Sequence, residues 1–85
     1  MSWVVVTQQA YEAWAATTDD VADADLRIAV LEWALALQTT GPPPDGIFDA
    51  ARSTHFAAVG DTGVWAEYIA LPHLDPPAIV IRAYS

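Results

Sequence analysis

Apolar residues along this chain fall into runs of two periods, and the periods separate strands from helices. Trp3-Val4-Val5-Val6 is aromatic and β-branched between polar neighbours, which predicts a strand over Ser2 to Thr7. It is apolar on both faces, the pattern of a strand covered on two sides or lying at an interface. Thr7 suits a helix N-cap. Beyond it, Gln8 to Ala16 sets Tyr11, Trp14 and Ala15 on one helical stripe. Thr17-Thr18-Asp19-Asp20 breaks this helix, because such side chains compete for backbone hydrogen bonds. Asp20 or Thr18 then caps a second helix over Val21 to Gln38. Asp20, Asp23 and Asp25 sit at its positive end, and Asp23 is spaced to pair with Arg27. Leu26, Val30, Trp33 and Leu37 make one stripe on it, and Ile28, Leu31 and Leu35 widen the apolar arc well past a single face. This helix is therefore expected to pack on both the sheet and the first helix. Gly41 and Pro42-Pro43-Pro44 end it.

The second half reads as β structure. Asp45 to Thr54 is a connecting segment with a short helical turn over Phe48 to Arg52, anchored by Ile47 and Phe48. Strands are predicted over His55–Val59, Val64–Leu71 and Ala78–Tyr84. Gly60-Asp61-Thr62-Gly63 turns the first of these into the second as a hairpin, and Pro72-His73-Leu74-Asp75-Pro76-Pro77 is a stiff loop before the last. The order is β-α-α-β-β-β. That makes one α+β domain over residues 1–85, a small antiparallel sheet packed against an N-terminal helical hairpin. Val64 and Trp65 alternate, so one of them must face away from the main core. An exposed tryptophan there would anchor a partner peptide or a second subunit.

Composition sharpens this picture. Charged residues are only 16% of the chain while apolar ones are 54%, 17 of them alanine. So little charge on so much apolar surface fits either a partner that covers part of the fold or a tightly packed monomer with an alanine-rich exterior. Eleven acids face three arginines and no lysine, a net charge of −8. Phosphate binding needs clustered cations that release counterions, so direct nucleic-acid binding is not expected, and docking on anionic membranes is disfavoured in the same way. The absence of cysteine excludes disulfides and thiolate chemistry. No signal-like N-terminus and no long apolar run is present, so a cytoplasmic protein is expected.

No strong catalytic signature appears. There is no G-x-S-x-G, no phosphate-cradling glycine loop and no zinc-ligand spacing. His55 and His73 stand far apart, and the acids around Asp19 to Asp25 lack an EF-hand pattern. Neither a metal nor a cofactor is expected.

Trp3-Val4-Val5 at the start, Glu12-Ala13-Trp14 closing the first helix, Leu37 with Gly41-Pro42 after the second, Val59-Gly60-Asp61 before the third strand and Tyr84 after the last resemble motifs of the RelE/ParE toxin superfamily of bacterial toxin–antitoxin modules. The resemblance spans the whole chain through short, degenerate motifs. It implies a toxin acting on ribosome-bound mRNA or on a protein such as DNA gyrase, neutralised by an antitoxin that wraps apolar surface. In a metal-independent ribonuclease of this kind, Arg82 would bind an anion, Tyr84 would donate a proton, and Glu67 or His55 would accept one. Arg82 and Tyr84 are two apart on one strand and so share a face; a suitable register would put Glu67 across from Arg82. The plainer alternative is a cross-strand Glu–Arg pair on a solvated face, worth about 0.2–1 kcal/mol. The chain departs from the ribonuclease pattern where cations are expected, with Thr62, Gly63, Val64 and Trp65 following Gly60-Asp61 and Glu67 on the third strand. Without those cations, charge developing on a phosphate loses its main stabilisation. This deficit favours a non-nuclease toxin, or a non-enzymatic acidic interaction domain on the same fold. Trp65, Trp33, Leu31 and Leu35 are the candidate contacts to an antitoxin or to a second copy in a homodimer.

Overall fold

The computed structural model describes residues 2–17 and 24–85. Its elements are β1 (Val4–Val6), α1 (Gln8–Thr17), α2 (Ala24–Thr40), β2 (Ile47–Asp49), β3 (Thr54–Ala58), β4 (Trp65–Leu71) and β5 (Ala78–Tyr84). The α+β class and the expected sequence of elements are observed, with one strand added. Residues 47–49, expected inside a connecting segment, pair antiparallel with β3 instead. The turn between them is made by Asp49, whose carboxylate accepts from the Ala51 amide at 3.0 Å, and by Ser53 in the left-handed region at φ 55°. An aspartate that bonds its own backbone two residues on imitates a turn, which is why this stretch folds back rather than winding into the helical turn expected over Phe48 to Arg52. The break at Thr18 to Asp20, the caps assigned there and the Asp23–Arg27 pair lie outside the described residues.

The five strands form one sheet in the order β1-β5-β4-β3-β2. β1 runs parallel to β5, and every other pairing is antiparallel. The sheet is thus mixed at one edge. The two helices carry the chain from β1 to β2 at the opposite edge, and the antiparallel run from β2 through β3 and β4 then brings β5 back beside β1 in the same direction.

Register sorts the residues onto two faces. His55, Ala57, Ala66, Tyr68, Ile79, Ile81, Tyr84 and Val5 are linked by cross-strand pairing, and most are buried together with Ala10 and Trp14 of α1 and Val30 and Leu37 of α2. This is the helix-covered face and the core. Thr7 holds the N-cap position of α1, its carbonyl accepting from the Tyr11 amide at 2.9 Å. At the other end of α2, the Gly41 amide bonds the Leu37 carbonyl at 2.9 Å while Gly41 sits at φ 79°, the left-handed helix cap that glycine adopts without a Cβ penalty. Trp3 completes this end, its amide donating to the Gln38 carbonyl at 2.8 Å.

α2 departs from expectation in one respect. Its first stripe packs inward, with Val30 and Leu37 buried. The widening residues do not pack against α1: Ile28, Leu31 and Leu35 are all exposed, Leu35 at 60%. α1 is a short helix with only Ala10 and Trp14 buried, and its apolar arc is used up on β5. Among the described residues, Arg27 Nη2 of α2 donates to the Ala15 carbonyl of α1 at 3.5 Å.

Candidate functional site: the open face of the sheet

Among the described residues, no helix lies on the other face of the sheet. Starting from β1, register places Val4 beside Ala78 and Val6 beside Val80. Val80 pairs with Ile69 and Ala78 with Leu71 on β4. Further along, Trp65 pairs with Ala58, Glu67 with Phe56, and Phe56 with Ile47. Every one of these except Glu67 is apolar. Val4, Val6, Trp65 and Ile47 are exposed at 45%, 48%, 44% and 62%, and the residues between them are half-buried. Scattered exposed apolar residues are ordinary on a protein surface, but a contiguous apolar patch marks an interaction surface. Of Val64 and Trp65, it is Trp65 that faces out and Val64 that is buried.

Glu67 is the polar exception on this face. Its carboxylate accepts from the Thr54 hydroxyl at 2.9 Å and lies 3.7 Å from Arg52 Nη1; the Arg52 guanidinium also stands 5.9 Å from the Phe56 ring centre. Arg52 is therefore the cation that meets Glu67, not Arg82. The reason is a bulge in β5. Glu67 pairs with Ala83 and Tyr68 with Ile81, so Arg82 is one residue extra. A bulge breaks strict alternation, and the simple two-apart rule for Arg82 and Tyr84 fails across it: Arg82 is exposed and Tyr84 is 7% exposed.

Tyr84 belongs to the core. Its hydroxyl and the Thr7 hydroxyl are 2.5 Å apart, and its ring lies 6.1 Å from that of Trp14. Burial raises its pKa above the usual tyrosine value, an effect the Thr7 hydrogen bond partly opposes. His55 is on the helix-covered face, in an aromatic row between Phe48 at 5.0 Å and Tyr68 at 5.4 Å. The pKa of Tyr68 is also raised, first by burial and then by the Asp45 carboxylate. Glu67 and His55 thus sit on opposite faces of the sheet. Arg82 and Tyr84 both line a cleft of about 490 Å³ where β1 gives way to α1, with Val6, Val80, Trp14 and Thr17 among its walls. The four candidate catalytic residues are not gathered at one point. Among the described residues no cluster of His, Asp and Glu is arranged to hold a metal ion.

The remaining partner candidates divide in the same way. Leu31 and Leu35 are exposed on the outer side of α2. Trp33 is half-buried and lines a second cleft, of about 580 Å³, between the end of α2, Pro42 to Pro44 and the turn after β3. Sequence reasoning found Trp65 and read the Trp3 to Val6 strand as covered on two sides or lying at an interface, but did not single out Val80 and Ile69, which join that strand to β4 on this face. The signal was present in the two-sided apolarity of Trp3 to Val6. No helix among the described residues is long and apolar enough to cross a membrane. Comparison with models of protein families, with curated proteins and with solved structures gives no match to this chain.

Proposed function

We propose that this chain is a non-catalytic protein-interaction domain that docks a partner on the open face of its sheet. The observation that carries this reading is the apolar group of Val4, Val6, Val80 and Ile69, with Trp65 beyond Glu67 on the same face, on the side opposite both helices. Exposed aromatic and aliphatic side chains of this kind are the anchors of protein interfaces. The dispersal of Arg82, Tyr84, Glu67 and His55 supports binding over catalysis, since general acid–base work needs its groups within hydrogen-bond reach of one reacting centre. Peptides selected from a random library against the wild-type chain test the reading. Selected binders are expected to lose at least tenfold in affinity on Val6→Asp and on Trp65→Ser, and to bind Leu35→Gln unchanged. Binders indifferent to both sheet variants would refute it.

A second reading, favoured by the order of elements, is a RelE/ParE-like toxin whose target is ribosome-bound mRNA or a protein such as gyrase. Its test is induction in a bacterial host. Growth arrest that is lost in the Arg82→Ala, Tyr84→Phe double variant supports catalysis, and no arrest from the wild type counts against the toxin reading.

A further inference from the structure

α2 carries a second apolar row, on its solvent side. Ile28, Leu31 and Leu35 are exposed at 53%, 37% and 60%, while Val30, Ala34 and Leu37, on a different face of the helix, are buried. The exposed row steps by three and then by four residues, the a-d-a spacing of a seam between two helices. With Ile28 and Leu35 at a and Leu31 at d, the outer d positions fall to Ala24 and Gln38, both exposed. Isoleucine at a before leucine at d is the order that favours a pair of parallel helices.

Spacing alone does not say what lies opposite this row; the charges flanking it do. In a parallel pair of identical helices, a g residue meets the e residue five positions on in its neighbour. Here Arg27 is at g and Glu32 at e, so each copy sets its arginine against the other's glutamate, twice by symmetry. Glu32 is exposed and Arg27 half-buried. Arg27 spends Nη2 on the Ala15 carbonyl at a long 3.5 Å, and among the described residues neither side chain takes part in an ion pair. An antiparallel pair would instead bring Glu32 beside Glu32 of the other copy, and like charges brought together at an interface oppose it.

We infer that two copies of this chain pair through α2, side by side and parallel, with Ile28, Leu31 and Leu35 in the seam and Arg27 of each against Glu32 of the other. This surface is distinct from the open face of the sheet, and the inference stands independently of the docking reading above. The net charge of −8 sets two copies against each other at a distance, but at physiological salt screening acts over about 8 Å, which leaves contacts at the seam to decide. A seam of about 15 residues is roughly 22 Å long. That covers less than about 1,200 Å² in total, the size of weak, reversible interfaces.

Sedimentation equilibrium on the wild-type chain is expected to show a reversible dimer with a dissociation constant of roughly 10–100 µM. Leu35→Gln should raise that constant at least about tenfold, with circular dichroism confirming the fold, and Ile28→Gln serves as the independent variant. The charge pairing is read by mixing. Glu32→Lys alone sets lysine against Arg27, and Arg27→Glu alone sets glutamate against Glu32, so each should associate at least about fivefold more weakly than the wild type. An equimolar mixture of the two variants should recover, as a heterodimer. Direction is read by cross-linking in a chain that has no other cysteine. Gln38→Cys should give disulfide-linked dimers on mild oxidation, because parallel helices bring the two copies of residue 38 within the roughly 4.4–6.8 Å that a disulfide spans between Cα atoms. Ala36→Cys, off the seam on the same helix, should not.

A chain that is monomeric at about 1 mM, far above the expected constant, would overturn the inference. So would a dimer that Leu35→Gln and Ile28→Gln both leave intact; if Val6→Asp dissociates that dimer, the second copy sits on the open face instead. A dimer lost in Leu35→Gln whose charge variants do not recover on mixing, and whose Gln38→Cys form stays unlinked, would overturn the parallel pairing.

Discussion

Replacing Gly46 by alanine would place a methyl carbon 2.0 Å from the Tyr68 hydroxyl oxygen and 3.2 Å from Tyr68 Cζ. Tyr68 has nowhere to go. It is 2% exposed, its ring stacks on His55 at 5.4 Å, and it pairs across the sheet with Ile81. The turn carrying Gly46 must therefore shift, at the expense of the bond from its amide to the Pro43 carbonyl at 3.3 Å. Overpacking of this kind costs about 1–3 kcal/mol. Stiffening the unfolded chain by Gly→Ala returns about 0.4–1 kcal/mol, so the net loss is about 1–2 kcal/mol. In a domain this small, that lowers Tm by roughly 5–15 °C. Urea unfolding followed by tryptophan fluorescence measures it. Tyr68→Phe supplies the control, because removing the hydroxyl removes the 2.0 Å contact and leaves ring carbon at 3.2 Å as the nearest obstacle. Gly46→Ala in the Tyr68→Phe background is expected to cost at least about 1 kcal/mol less than in the wild type, a coupling of the size double-mutant cycles resolve. Equal penalties in the two backgrounds would refute the steric argument.

Three further outcomes follow from the same geometry. Burial raises the pKa of Tyr84 and of Tyr68, so above about pH 10 the unfolded state gives up protons that the folded state keeps. Stability is complete below that pH and falls as pH rises through it; the alkaline loss in a urea-midpoint series should be smaller in Tyr84→Phe than in the wild type. Gly41→Ala forces a side chain into the left-handed region at φ 79° and within 3.0 Å of Trp3 Nε1, and should lose at least about 1–2 kcal/mol by chemical denaturation; a neutral result would mean that the helix end relaxes away from Trp3. Arg52→Ala removes a side chain that is 63% exposed, and Glu67 keeps its Thr54 hydrogen bond; its cost should stay below about 1 kcal/mol, and a loss above 2 kcal/mol would show the pair to be far better shielded than its exposure allows.

Much of the fold was legible because long periodic segments overdetermine it. The last strand was placed at its observed bounds from Ala78 to Tyr84, and Gly41 at the end of α2 announced its own conformation. β2 was not legible. Three residues cannot display an alternation, and the Asp49 turn that folds them onto β3 uses a residue that suits a helix start equally well. The second apolar stripe of α2 was read correctly as a stripe and wrongly as a helix contact. Periodicity says which residues share a face, not what lies opposite. The site suffered most from a single event, the extra residue at Arg82. Period-two reasoning holds only while neighbouring strands keep step, and no residue type around Arg82 signals that they do not.

That extra residue also sets how the C-terminal strand can vary. Tyr84 reaches Thr7 and Trp14 while β5 spends one more residue than β4 between the Ile81–Tyr68 and Tyr84–Ala66 pairs. Side-chain identity at Arg82 and Ala83 is loosely constrained there, since both are exposed. Deleting either one would bring the strands back into step with Ile81 still opposite Tyr68 and Tyr84 still opposite Ala66, so Tyr84 keeps its place in the core and only the outward bulge is lost. The segment tolerates rewriting, and even shortening by one residue, without exchanging the two sides of the molecule.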